Sequence, residues 1–142
     1  MTRHLFVYAS LRSGFRSPAY SYITQFFKPA GEAFVHGEFY SANGTPVAIP
    51  AAHSVIQGEL YRLTDPDHFK WAMCQLDDYE GLNVEEGEIP LYKREKVIAY
   101  SAAQEPVEAW VYWYNRPVKG MPSVNAEEVA RIFQSLNKNS NE

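Results

Sequence analysis

The sequence predicts an α+β fold: a small, mixed, strongly curved β-sheet with flanking helices. Segments follow one another as strand, helix, two or more strands, helix, two strands and helix, without the strict strand and helix alternation of a doubly wound sheet. Trp 3, Tyr 10 and Phe 8 bring aromatic residues to 15% of the chain, a composition that favours strands over plain helical bundles. Turn signals recur at short intervals, and no repeat or low-complexity block interrupts them. A length of 142 residues suits one domain over 1–142, with a core over about 4–115 and a last helix over about 125–137.

Taken in order, His4 to Tyr8 is a compact apolar run that reads as a buried strand, ending in the polar loop Ser10 to Ser17. Ser17-Pro18 supplies an N-cap and an N1 proline for a short helix through about Phe27. Gly31 to Ser41 alternates Ala33, Val35, Gly37 and Phe39 against Phe34, His36, Glu38 and Tyr40, the pattern of a half-buried strand, and Asn43-Gly44 turns the chain after it. Val55 to Leu63 is a further strand with Val55, Gln57, Glu59, Tyr61 and Leu63 on one face, stopped by Asp65-Pro66. Asp65 and Pro66 then open a helix whose apolar face is Phe69, Ala72 or Met73, and Leu76, and which ends at Gly81. Tyr92 to Tyr100 and Pro106 to Tyr114 form a hairpin of the sheet. Asn125 and Glu128 resemble a capping box for the last helix, with Val129, Ile132, Phe133 and Leu136 as its stripe, before a frayed tail from Asn137 to Glu142.

Composition removes several classes of function. Thirteen Lys plus Arg against seventeen Asp plus Glu give net −4, with no basic stripe to neutralise phosphates, so nucleic acid is not an expected partner. The longest apolar stretches, such as Ala109 to Tyr114, fall far short of the roughly 20 residues of a membrane helix, so no membrane role is expected. Arg12 cuts the apolar run Leu5 to Leu11 short of a typical signal segment, and the single Cys74 permits no intrachain disulfide, which points to a reducing cytoplasm. His4, His36, His53 and His68 lack metal-ligand spacing, so no metal is expected. Neither a P-loop nor a nucleophile elbow is present; Ser10 lacks flanking glycines, and Cys74 reads as a packed thiol in mid-helix.

Two places remain. Asp77-Asp78-Tyr79-Glu80-Gly81 sets three carboxylates at a helix C-terminus, where the macrodipole disfavours negative charge. Mutual repulsion, and burial beside Trp71 or Tyr79, would raise their pKa values toward those of a neutral-pH acid/base; the alternative is a solvated turn paired with Lys93 or Arg94. The segment Ala9 to Ser13 leaves a buried strand, where successive N–H groups form an anion-binding nest in some proteins and an ordinary connection in many others.

Five segments in order, Leu5-Phe6-Val7-Tyr8-Ala9-Ser10-Leu11-Arg12, Gln57-Gly58-Glu59-Leu60-Tyr61, Leu76-Asp77-Asp78-Tyr79-Glu80-Gly81, Tyr92-Lys93-Arg94 and Ala109-Trp110-Val111-Tyr112, resemble the γ-glutamylcyclotransferase-like family, which includes γ-glutamylamine cyclotransferases and avirulence-induced proteins. They are similar, respectively, to its opening strand with the Tyr-Gly-Ser/Thr-Leu loop, its Gly-Glu-Leu-Tyr strand, its Leu-Asp-x-Phe/Tyr-Glu-Gly signature, its Tyr-x-Arg and its last core strand. The resemblance covers about Leu5 to Tyr114. It implies a small mixed barrel with a cavity at one end, and an enzyme that cyclises a γ-glutamyl amine or peptide to 5-oxoproline without a cofactor. Glu80 takes the family's general acid/base position, and Tyr8, Ala9, Ser10 and Leu11 its substrate-cradling loop; Tyr92 and Tyr112 are candidate cavity-lining residues. The expected partner is a small γ-glutamyl substrate, and the expected state a monomer or weak homodimer. Ala9 stands where the family usually has glycine, which narrows the pocket or weakens the nest and leaves a noncatalytic binding module on the same fold as the alternative. The acidic segment Leu82 to Leu91 offers either a lid or a solvated loop.

Overall fold

In the computed structural model, residues 2–8, 18–125 and 127–132 are described. The first strand, β1 (His4–Val7), is apolar on both faces because both are covered: Phe6 points into one cluster of buried side chains, and Leu5 and Val7 into another. A helix, α1 (Pro18–Phe26), leads straight into β2 (Phe27–Ala42), so the helix stops one residue before the sequence expectation, at the point where Phe27 pairs with Leu63. Asn43 and Gly44, both at positive φ, make the two-residue turn to β3 (Thr45–Leu63).

Both strands outrun their expected lengths. Pro46 and Pro50 break the strand pattern in sequence, yet they pair with Ser41 and Gly37, and the irregularity between His36 and Gly37 absorbs the unpaired residues beside them. The face that Val55, Gln57, Glu59, Tyr61 and Leu63 share on β3 is not uniform in burial. Val55 and Gln57 are exposed, whereas Ile56, Gly58 and Leu60 face the barrel, and Tyr61 and Leu63 lie under the helices.

Pro66–His68 forms a single 3₁₀ turn capped by Asp65, whose carboxylate accepts the Asp67 N–H at 2.9 Å. It runs into α2 (Phe69–Tyr79), which buries Ala72, Met73 and Leu76 as its spacing predicts. Cys74 is exposed rather than packed, because it lies about 200° round the helix from Ala72. The expected hairpin of β4 (Tyr92–Ser101) and β5 (Pro106–Tyr114) follows, with Tyr92 opposite Tyr114. A short β6 (Ser123–Val124) pairs with Phe39 and Tyr40 of β2.

The strand order β3-β1-β5-β4-β2, closed by the pairing of β2 with β3, makes a five-stranded mixed barrel in which only β1 and β5 run parallel among the described strands. Phe6, Val35, Phe39, Ile56, Leu60, Val111 and Trp113 fill its interior. A second cluster, with Leu5, Val7, Tyr61, Leu63 and Tyr112, lies outside the barrel wall beneath α1 and α2. Residues 127–132 are helical; the Asn125 side chain accepts the Glu128 N–H at 2.8 Å and donates to its carboxylate at 3.0 Å, and Val129 packs on the barrel core. Phe133, Leu136 and the tail lie outside the described residues. No described helix is long and apolar enough to cross a membrane.

Candidate active site

Glu80 is placed by the way α2 stops. Gly81, at φ 75°, takes the left-handed conformation that a glycine adopts without steric penalty. Its N–H donates to the Asp78 carbonyl at 3.1 Å, and the Leu82 N–H donates to the Asp77 carbonyl at 2.9 Å. This is a Schellman turn with Glu80 as the C-cap, and Leu82 anchors it by packing on the core cluster under the helices. The local sequence Glu80-Gly81-Leu82 thus orients the Glu80 backbone before any tertiary contact is counted.

The charge of Glu80 reaches three tyrosines: Tyr8 just past the end of β1, Tyr92 on β4 and Tyr112 on β5. Burial pushes Tyr8 well above the ordinary phenol range, with the charges of Glu80 and Tyr92 adding to it. Burial, then Glu80, then Tyr114 carry Tyr92 to about 12. Burial and a hydrogen bond to Asp77 raise Tyr112, and Glu80 adds a smaller push. Glu80 itself is pushed up to about 7 by desolvation. All three tyrosines are therefore neutral at physiological pH, within the electrostatic reach of a carboxyl that exchanges its proton there.

Tyr8 sits where β1 ends, its ring over Trp113 at 6.2 Å and edge-on to Phe39 at 5.7 Å, and its hydroxyl donates to the Tyr112 carbonyl. Tyr92 meets the Tyr114 ring edge-on at 5.9 Å. Arg94, directly opposite Tyr112 in the ladder, makes a two-pronged ion pair with Asp77 through Nε at 2.8 Å and Nη2 at 3.1 Å. The Tyr112 hydroxyl donates to the same Asp77 carboxylate at 2.7 Å. The guanidinium lies 4.6 Å from the centre of the Trp110 ring, which holds it flat against the sheet.

The expected residues Glu80, Tyr8, Tyr92 and Tyr112 are brought together. Ala9, Ser10 and Leu11 lie outside the described residues. Two expectations about the acidic cluster change. Repulsion among the three carboxylates is not what raises Glu80: Asp77 is neutralised by Arg94, Asp78 accepts the Asn83 amide, and desolvation is the cause. Trp71 is 60% exposed on the solvent side of α2, and Tyr79, 43% exposed on the same face as Ala72, sets its ring 6.2 Å from Tyr22 of α1. Glu85, Glu86 and Glu88 are exposed, as a solvated loop requires, and the end of their segment is tied down by Asn115, which hydrogen-bonds the Leu91 and Pro90 carbonyls. The link from Asp77 to Tyr112 escaped the sequence reading, which offered Arg94 to the cluster only as a surface partner. Among the described residues no group of His, Cys, Asp or Glu is arranged to hold a metal ion.

The model of one protein family, described as gamma-glutamyl cyclotransferase, AIG2-like, matches residues 5–130. The chain belongs to that family. The match runs past Tyr114, where the motif resemblance stops, into the last helical segment. A comparison with curated proteins found no match. Among solved structures, the uncharacterized protein PH0828 from Pyrococcus horikoshii is similar over 99% of this chain and 100% of its own, at 16% identity and a TM-score of 0.60. YkqA from Bacillus subtilis matches at 20% identity and a TM-score of 0.59 over 87% of this chain, which spans 38% of the length of YkqA. A structure titled gamma-glutamyl cyclotransferase matches at 9% identity and a TM-score of 0.55, covering 96% of this chain and 80% of its own. At these identities the structural likeness speaks for the fold, and the family assignment rests on the sequence model.

Proposed function

We propose that the protein is a γ-glutamyl cyclotransferase that converts a small γ-glutamyl amine or peptide to 5-oxoproline and the free amine, with Glu80 as general acid/base. The observation that carries this reading is the desolvated Glu80 carboxyl, raised to about 7 and near enough to Tyr8, Tyr92 and Tyr112 for its charge to act on each of them. The substrate's α-amine attacks its own γ-carbonyl carbon, a C–N bond to the departing amine breaks, and no water or cofactor is consumed. Ionised Glu80 accepts the proton that the attacking nitrogen must lose. The same carboxyl returns it to the leaving nitrogen, so one group serves both transfers.

The remaining work is geometric, since amine and carbonyl already belong to one molecule and need only be folded into attack distance. Neutral phenols suit the surroundings of such a reaction because they carry no charge that would neutralise Glu80; the Tyr8 and Tyr112 hydroxyls already donate to the Tyr112 carbonyl and to Asp77, so Tyr92 is the phenol to donate to developing negative charge. Carried over from the family resemblance, the Tyr8 to Leu11 segment would hold the substrate carboxylate or the oxyanion through its N–H groups.

The test is a panel of γ-glutamyl amines and peptides, with 5-oxoproline measured by mass spectrometry. Wild-type protein is expected to form it, and Glu80→Gln to lower kcat by about 10² to 10⁴ with the fold intact. Equal turnover by the two proteins would remove Glu80 from the mechanism. Free glutamate in place of 5-oxoproline would mean that water, not the α-amine, is the nucleophile. Stabilisation by the panel without any product would favour the binding-module alternative.

A further inference from the structure

A carboxyl that must stay desolvated to work needs its surroundings held in place. Three residues before Glu80, Asp77 occupies a junction that is more elaborate than a helix end requires. Its side chain accepts three hydrogen bonds, from Arg94 Nε, Arg94 Nη2 and the Tyr112 hydroxyl, and so joins α2 to adjacent positions on β4 and β5. Its main-chain carbonyl accepts the Leu82 N–H that closes the turn carrying Glu80. Through the Tyr112 carbonyl, which accepts from the Tyr8 hydroxyl, the same junction reaches β1. The Asp77 and Arg94 side chains are 18% and 21% exposed, and an ion pair withdrawn from water to that extent loses much of its Coulomb gain to desolvation. Stability alone is therefore a weak reason for the arrangement.

We propose that Asp77 is a positioning residue, whose ion pair with Arg94 and hydrogen bond from Tyr112 fix the end of α2 against the barrel wall and thereby hold the Glu80 carboxyl among Tyr8, Tyr92 and Tyr112. Its catalytic consequence rests on the cyclotransferase reading; its positional content does not. The titratable groups on which the charge of Glu80 acts are Tyr8 at the end of β1, Tyr92 on β4 and Tyr112 on β5; on its own element Asp77, Asp78 and Tyr79 precede it, with Asp77 paired to Arg94 of β4. Because desolvation is what raises Glu80, losing the junction returns its carboxyl toward water and toward ordinary carboxylate behaviour.

The experiment is an NMR titration of the Glu80 side-chain carboxyl in wild type, Asp77→Asn, Arg94→Gln and Tyr112→Phe, alongside kcat and KM for 5-oxoproline formation. The expected result is a Glu80 midpoint lowered by about one pH unit or more in both charge variants and by less in Tyr112→Phe. With it, kcat falls about tenfold or more while KM stays within about twofold. Midpoints that move in opposite directions in Asp77→Asn and Arg94→Gln would show that these residues act by charge alone, and would overturn the positioning role; so would an unmoved midpoint. A raised KM with intact kcat would also overturn it, by making Asp77 a substrate-binding residue. If a charge variant does not fold, Tyr112→Phe decides, since it keeps the ring and removes only the donor. A wild type that makes no 5-oxoproline refutes the cyclotransferase reading, and the titration still tests the positioning.

Discussion

The two faces of β5 divide the labour of the molecule. Ala109, Val111 and Trp113 point into the barrel, enlarging along the strand, and each is at most 2% exposed. Trp110, Tyr112 and Tyr114 alternate with them on the outside, where the first two use their polar atoms: the Trp110 indole donates to the Thr2 carbonyl at 3.3 Å, and the Tyr112 hydroxyl donates to Asp77. The inner face is filled by shape and the outer by hydrogen-bond chemistry. The difference teaches where the chemistry has room. A packed apolar barrel offers no polar group to a substrate, and the carboxyl proposed as acid/base lies outside it, at the C-cap of α2.

The strongest way to break this division is from the inside. Trp113→Ala empties the widest layer of the barrel and removes the surface on which Tyr8 stacks. A loss of about 3 to 5 kcal/mol in unfolding free energy is expected, measured by chemical denaturation. A loss below about 1 kcal/mol would mean that the interior is not a continuous packed core.

A smaller inner-face test concerns Gly58. A Cβ there would lie 2.3 Å from the Val7 carbonyl oxygen and 2.5 Å from the Phe6 ring, so the motif glycine is required by the close approach of β1 to β3. Gly58→Ala is expected to destabilise by about 1 to 3 kcal/mol. It should also displace the end of β1 that carries Tyr8, so 5-oxoproline formation should fall further than the lost stability explains. A fully stable and active Gly58→Ala would show that β1 can shift without consequence for the site.

How much of this could be read from the chain follows from distance in sequence. The hairpin of β4 and β5, the apolar face of α2 and the Asp65 cap are local patterns, visible within a few residues of one another. The acidic cluster of Asp77, Asp78 and Glu80 was also visible, because carboxylates at a helix C-terminus contradict the macrodipole, and the family resemblance singled Glu80 out of it. Burial was expected to raise its pKa, but its neighbours were not visible: the tyrosines its charge reaches come from the end of β1, from β4 and from β5, and Asp77 meets Arg94 and Tyr112 across separations of 17 and 35 residues. Barrel closure likewise came from the family resemblance, since no periodicity reports that β2 pairs with β3 along nearly its whole length while also meeting β4.

The finest comparison sets the site against the fold through pH. Folded Glu80 titrates near 7, whereas an unfolded glutamate titrates near 4.5. Between those values the folded state binds the proton more tightly, so wild-type stability should fall as pH rises from about 4.5 to about 7 and remain lower above that. The penalty is at most about 3 kcal/mol and is reduced by the part of Glu80 that stays in water. Gln at this position is neutral throughout and escapes it. Glu80→Gln should therefore match wild type at about pH 4 and exceed it by about 1 to 3 kcal/mol at about pH 8, as measured by denaturation at both values. A group that costs stability where it is active is being kept for chemistry. Parallel stability curves for the two proteins would mean that Glu80 is solvated in the folded state, and would remove the desolvated carboxyl on which the acid/base reading rests.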